Sequence, residues 1–136
     1  MTTKEYLSQA YLLDKRIKSK TEQLKCLRDL ATRTNMPLSD MPKNPNRGNS
    51  KMEDAVLKIV ALEDEISEDI LNLVTLKQEI MHSIKQVENS EYQVLLELRY
   101  LCFKTWEEIS VEMGYEIRHI YRLHKRALNE VVTKCH

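Results

Sequence analysis

The sequence predicts an all-α protein, in which a long antiparallel helical hairpin is followed by a compact three-helix helix-turn-helix module. Three observations support this fold class. The chain of 136 residues contains only 2 Gly and 3 Pro, so few turns are indicated and a small number of long elements is favoured. Apolar residues recur at helical spacing along most of the chain, and no segment sustains the alternation typical of a strand.

The first predicted helix covers about residues 3–33. A capping box at Thr2 and Glu5 marks its start, since a hydroxyl and a carboxylate three residues apart satisfy two backbone amides. One apolar stripe then follows steps of four and three, the spacing of a coiled-coil seam. Lys20 occupies its single polar gap. The stripe consists of Tyr6, Ala10, Leu13, Ile17, Leu24, Leu27 and Ala31.

Residues 34–50 are predicted to form a flexible loop that closes the hairpin. This segment holds all three prolines of the chain and Gly48, and proline removes a backbone donor and disfavours helix in the residue before it. The segment is long for a connection between helices. A plain tether is favoured over a binding loop for a segment of this composition.

The second predicted helix covers about residues 51–87 and begins with a capping box at Ser50 and Glu53. It carries two apolar stripes, and a helix with two apolar faces needs two neighbours. The first helix covers one stripe, and either the C-terminal segment or a second copy of the chain covers the other; we favour a homodimer. One stripe is Ile59, Leu62, Ile66, Ile70, Leu73, Leu76, Ile80, Ile84 and Val87; the other is Leu57, Val60, Leu71, Val74 and Met81.

The predicted module, residues 90–136, follows the hairpin of residues 1–89. Capping boxes at Ser90–Gln93 and Thr105–Glu108 start its first two helices. Gly114 then ends the second helix, because glycine adopts the left-handed conformation at little cost. The third helix begins after Glu116, a poor cap where Ser or Thr is usual. The residues expected to pack between the last two helices are Trp106, Ile109, Met113, Ile120 and Leu123.

The C-terminal third resembles region four of bacterial sigma factors, which reads the −35 promoter element. The likeness rests on Thr-Trp-Glu-Glu-Ile at 105–109, Met-Gly at 113–114 and the run at 118–128. The chain resembles still more closely small phage and prophage transcriptional regulators of the ArpU and RinA type from Gram-positive bacteria. Tyr-Arg-Leu-His at 121–124 and Gly-Asn-Ser-Lys-Met-Glu at 48–53 carry that likeness, which extends over nearly the whole chain.

This resemblance implies that the last helix enters the major groove of duplex DNA. The sigma-factor pattern places Ile117, Arg118, Tyr121 and Arg122 at base-contacting positions. Formal charge agrees with a nucleic-acid element, because residues 114–136 carry net +3 while residues 52–90 carry net −6,. The residues expected to meet base edges are Arg118, His119, Tyr121 and Arg122, and those expected to meet phosphate are Lys125, Arg126 and Lys104.

The sequence and this resemblance therefore favour a sequence-specific DNA-binding regulator of phage or prophage transcription, which acts through its C-terminal helix-turn-helix and whose hairpin dimerises or contacts RNA polymerase. The alternative is a helical adaptor that binds RNA polymerase or another phage or host protein without reading DNA. An enzyme, a cofactor, a small-molecule substrate and a metal site are not expected, because no nucleophile, acid–base pair or ligand set is visible. No membrane span or signal peptide is expected either, which predicts a cytoplasmic protein. The lone thiols Cys26 and Cys102 are interpreted as small apolar fillers, and Cys135 as part of a frayed tail.

Overall fold

A computed structural model describes residues 1–35 and 45–132. Every regular element in these ranges is a helix, and no strand forms in them, so the predicted all-α class is confirmed. Among the described residues, no helix has both the length and the apolar character needed to cross a bilayer. The elements are α1 (Thr3–Asn35), α2 (Pro45–Lys85), α3 (Ser90–Leu96), a π-helical turn that continues α3 (Glu97–Leu101), α4 (Trp106–Met113) and α5 (Ile117–Glu130).

The predicted loop at 34–50 is wrong at both of its ends. Helix α1 continues to Asn35, and α2 already begins at Pro45. Proline suits the first turn of a helix, because the amide hydrogen that it lacks would have no partner there. The predicted capping box at Ser50 therefore falls inside α2. The flexibility predicted for residues 36–44 concerns residues outside the described part of the chain.

Two of the four predicted capping boxes are confirmed. The Thr2 hydroxyl oxygen accepts from the Glu5 amide at 3.1 Å, while a Glu5 carboxylate oxygen accepts from the Thr2 amide at 3.1 Å; Thr105 and Glu108 form the same reciprocal pair. The prediction at Ser90 is wrong, because Asn89 caps α3 instead. Its side-chain oxygen accepts from the Glu91 amide at 2.9 Å and from the following amide.

The described contacts divide the chain into two compact units, here called the C-terminal unit and the hairpin unit. The C-terminal unit combines residues 1–14 with the chain from Asn72 onward, and the hairpin unit is residues 15–71. The start of α1 and the end of α2 thus pack with the last helices. The predicted division into a hairpin of residues 1–89 and a module of residues 90–136 concerns which parts fold independently, and it stays a prediction.

Two apolar clusters form the core of the C-terminal unit. The first joins the start of α1, the end of α2 and the inner side of α5. Its buried members are Tyr6, Leu7, Ala10, Ile80, Ile84, Val87, Leu96, Tyr100, Ala127 and Val131. The second lies between α3, α4 and α5 and holds the five residues predicted to pack there, namely Trp106, Ile109, Met113, Ile120 and Leu123, together with Leu95, Tyr92, Leu98 and Tyr115.

In the hairpin unit, α1 and α2 run antiparallel and are joined by ion pairs. The Lys20 ammonium lies 2.6 Å from an Asp69 carboxylate oxygen and 3.7 Å from one of Glu65. Arg28 pairs with Glu63 at 3.0 Å. The one polar gap in the stripe of α1 is therefore filled by a cation that meets the acidic second helix.

The second apolar stripe of α2 lies exposed, so the described part of the chain does not cover it. Its members are exposed by 41% to 68%. The structure also corrects the interpretation of two cysteines, since Cys26 and Cys102 are exposed free thiols rather than buried fillers. Cys135 lies outside the described residues.

Candidate nucleic-acid interface

A three-residue turn connects α4 to α5. Gly114 has φ 72° and ψ 30°, the left-handed conformation predicted for it. The amides of Gly114 and Tyr115 both donate to the Ser110 carbonyl, at 3.0 Å and 3.2 Å. The Ser110 hydroxyl donates in turn to the Tyr115 carbonyl. Backbone and side chain together therefore fix where α5 begins relative to α4.

The start of α5 has no side-chain cap. Glu116 occupies the cap position and its side chain makes no capping hydrogen bond, as expected for glutamate. A helix start carries unpaired amides and a partial positive charge, which favour an anion. The first backbone amides of α5 are therefore not occupied by a side-chain cap, while the Glu116 carboxylate at the cap position adds a negative charge that disfavours phosphate there.

Helix α5 has a buried inner side and a basic outer side. Its inner side comprises Ile120, Leu123, His124 and Ala127. Of the six side chains of α5 expected to meet base edges or phosphate, five are exposed and His119 is half-buried; Ile117, which the sigma-factor pattern also places at a base-contacting position, is half-buried too. The exposed five are Arg118, Tyr121, Arg122, Lys125 and Arg126.

Two edge-to-face aromatic contacts flank the basic side of α5. On one flank, the Tyr121 ring lies 5.4 Å from that of Trp106, with an interplanar angle of 73°. On the other, the His119 ring lies 4.6 Å from that of Tyr115, at 72°. At about 100° per residue, Tyr121 and His119 are about 160° apart around the helix. Both rings are thus held in place at the edges of the basic surface.

The exposed cations of α5 are not neutralised by neighbouring carboxylates. Within residues 1–35 and 45–132, no carboxylate pairs with Arg118, Arg122, Lys125 or Arg126. Lys104 differs, because its ammonium bonds the Glu112 carboxylate, and that hydrogen bond raises the pKa of Lys104. Lys104 is therefore a weaker candidate for a phosphate contact than the sequence suggested.

Beneath the basic surface lies a buried polar pair that the sequence pattern did not predict. The Tyr100 hydroxyl lies 2.6 Å from His124 Nε2, and the His124 ring meets that of Trp106 at 4.6 Å. Burial lowers the pKa of His124 to about 4, aided by the positive charges of Lys4 and Arg99. Burial also raises the pKa of Tyr100 to about 12. Helical spacing could have indicated that His124 is buried, because residue 124 lies four positions after Ile120 and therefore on the inner side of α5.

Arg99 completes the support of Trp106. Its guanidinium carbon lies 4.3 Å from the centre of the Trp106 ring, and its Nη1 donates to the Lys104 carbonyl at 3.0 Å. Cation–π contacts of this kind stabilise a ring modestly and restrict its orientation. Trp106 is thus fixed between Arg99, His124 and Tyr121. In the described part of the chain, no three His, Cys, Asp or Glu side chains converge as a metal site would require.

A family model matches residues 41–132 of the chain. The chain belongs to the DUF1492 family. That family is described as a protein of unknown function, and the match includes the whole of α2 to α5. The searches of curated proteins and of solved structures found no match. The DUF1492 match therefore contains the basic surface of α5, the turn at Gly114 and the buried pair, while α1 lies outside it.

Proposed function

We propose that this DUF1492 protein is a sequence-specific DNA-binding transcriptional regulator that acts in the bacterial cytoplasm. The observation that carries the proposal is the outer side of α5, where Arg118, Arg122, Lys125 and Arg126 are exposed and unpaired within the described ranges. A regular helix with one buried side and one unneutralised cationic side suits the phosphate-lined major groove. The resemblance to phage and prophage regulators and to sigma region four supports the same assignment.

The roles of the cations follow from their chemistry. Arginine binds the O6 and N7 atoms of guanine with two parallel hydrogen bonds, so Arg118 and Arg122 are assigned to base edges. Lys125 and Arg126 lie further along α5 and are assigned to phosphate, which positions the protein without conveying sequence. His119 and Tyr121, at the flanks, complete the proposed contact surface.

The exposed stripe of α2 supports a second proposed interaction, with another copy of the chain or with RNA polymerase. Leu57 and Val60 are exposed by 67% and 47%, and contiguous apolar surface on a protein is typical of an interface. A two-fold dimer would present two α5 helices to two half-sites of one operator. If α5 does not bind DNA, this stripe favours the adaptor function instead.

Binding of the full chain to random duplex DNA, measured at several salt concentrations, tests the main proposal. Each phosphate contact releases condensed counterions, so the logarithm of the affinity should fall with the logarithm of salt concentration by about 0.9 per contact. Lys125→Ala and Arg126→Ala should each reduce this slope by about 1. Lys85→Ala, which removes an exposed cation from the end of α2, should leave the slope unchanged.

Two outcomes would contradict the proposal. The first is the absence of binding to duplex DNA at low salt by a chain whose circular dichroism shows folded helices, which would favour the adaptor. The second is equal loss of the salt slope in Lys85→Ala and Lys125→Ala, because binding would then reflect total charge rather than the α5 surface.

A further inference from the structure

Tyr121 differs from the other exposed residues of the proposed DNA-binding surface. Its side chain is a large and mainly apolar ring, whereas the other exposed side chains are those of arginine and lysine. Its side chain is 46% exposed, and it lies three residues after Arg118 and one before Arg122. At about 100° per residue it sits about 60° from Arg118 around α5. The basic surface therefore has an exposed aromatic ring along the flank nearest α4.

Contact with α4 fixes the position of the Tyr121 ring. Tyr121 packs edge-to-face against Trp106 with 5.4 Å between ring centres. Trp106 is itself held by the Arg99 guanidinium at 4.3 Å and by the His124 ring at 4.6 Å. A side chain held in one orientation loses little conformational entropy when it binds, which favours a specific contact over an incidental one.

The chemistry of base edges limits what such a ring can recognise. In the major groove every base pair presents hydrogen-bond donors and acceptors, and thymine adds an apolar group, its C5-methyl. The cations around Tyr121 suit guanine and phosphate, whereas the ring offers apolar surface. We infer that Tyr121 is a specificity-determining residue that contacts the thymine methyl group, so that the target contains a T·A pair adjacent to the base pairs met by Arg118 and Arg122. This inference rests on the proposed DNA-binding function.

Replacing thymine with deoxyuridine tests the inference, since it removes the methyl group and keeps every hydrogen-bonding atom. The full chain is first used to select tight-binding fragments from randomised duplexes. The selected duplex is then resynthesised with deoxyuridine at one thymine at a time. One position should weaken binding about three- to fivefold, the factor for burying one methyl-sized group, while the remaining positions have no effect.

Variants of Tyr121 assign that effect to the ring. Tyr121→Phe keeps the ring and removes the hydroxyl, so it should retain the sensitivity to deoxyuridine. Tyr121→Ala should bind the thymine duplex about three- to fivefold or more weakly, and deoxyuridine should then cause no further loss. Both variants should retain their helical content, because the side chain lies at the surface of α5.

The outcomes separate this inference from the proposed function. Specific binding without sensitivity to deoxyuridine overturns the inference and leaves the DNA-binding function in place. Sensitivity that persists in Tyr121→Ala, or that disappears in Tyr121→Phe, also overturns it, because another residue or the hydroxyl would then make the contact. Absence of any binding to duplex DNA overturns both.

Discussion

The Tyr100 hydroxyl and His124 Nε2 form a 2.6 Å hydrogen bond in the core of the C-terminal unit, directly below the basic side of α5. Their rings stack with 5.8 Å between centres. His124 belongs to α5, and Tyr100 to the π-helical turn that continues α3. This bond therefore ties the proposed DNA-contacting helix to the helix beneath it.

The stability of the protein should fall as the pH decreases from about 6.5 toward 4. The pKa of His124 is lowered to about 4 in the folded chain, whereas an unfolded histidine titrates near 6.5. Between these values the unfolded state binds the extra proton, so the free energy of unfolding decreases with falling pH. Above pH 6.5 the contribution of His124 is complete. The slope from one proton is at most about 1.4 kcal/mol per pH unit.

Denaturant unfolding at a series of pH values measures this slope. His124→Gln should flatten it between pH 6.5 and 4, whereas His82→Gln should not, because His82 is an exposed histidine on α2. An unchanged slope in a folded His124→Gln variant would show that another group causes the pH dependence.

Gly114→Ala should destabilise the C-terminal unit through backbone strain rather than through a steric clash. Gly114 has φ 72°, and a methyl group added there meets no atom within 4 Å. The left-handed conformation costs a residue with a Cβ roughly 1–2 kcal/mol, which sets the expected loss in the free energy of unfolding. Gly114→Asn is the matched comparison and should lose less, since asparagine tolerates this conformation. Equal stability of all three proteins in thermal unfolding would argue against the left-handed turn.

Ile109→Ala should reduce the free energy of unfolding by about 2–5 kcal/mol, the usual cost of emptying a core site. Ile109 is fully buried in the cluster between α3, α4 and α5. Val111→Ala, on the same helix, provides the control, because Val111 is 82% exposed and its truncation should change stability by less than about 0.5 kcal/mol. Similar losses in the two variants, compared by urea denaturation, would contradict the assigned inner side of α4.

Arg122→Ala should weaken binding to a selected DNA fragment by about 1–3 kcal/mol if Arg122 binds a guanine edge. Its unfolding transition should match that of the unchanged protein, because the side chain is exposed on α5. Affinity is measured by fluorescence anisotropy on the selected fragment and on one with that guanine replaced. If Arg122→Ala distinguishes the two fragments to the same degree as the unmodified protein does, Arg122 does not take part in base recognition.

Introducing charge into the exposed stripe of α2 should separate the proposed dimer. Leu57→Glu combined with Val60→Glu places two carboxylates on surface that a second copy would otherwise bury, which carries a large desolvation penalty. The double variant should sediment as a monomer with unchanged helical content, while the unmodified chain sediments as a dimer. A monomeric unmodified chain at micromolar concentration would reject the dimer and leave the stripe for another protein.

Local rules in the sequence located most of the helices, though not all their ends. Thr2 and Thr105 cap as predicted because each meets a glutamate three residues later. Ser90 does not, since Asn89 stands one position earlier and caps α3 itself. The proline content of residues 34–50 predicts a loop at Pro45, yet proline is also compatible with the first turn of a helix, where α2 begins,. Sequence spacing alone could not decide between these outcomes.

The sequence by itself determined the all-α class, the inner face of the last two helices and the left-handed Gly114, because periodicity and conformational preference act over a few residues. Only the tertiary structure decided that α1 and α2 share a core with α5, that Lys104 is held by Glu112, and that His124 bonds Tyr100. The same holds for the exposure of the second stripe of α2. These features depend on which distant segments meet, and a pattern of local spacing shows which helix faces need a neighbour without deciding which segment supplies it.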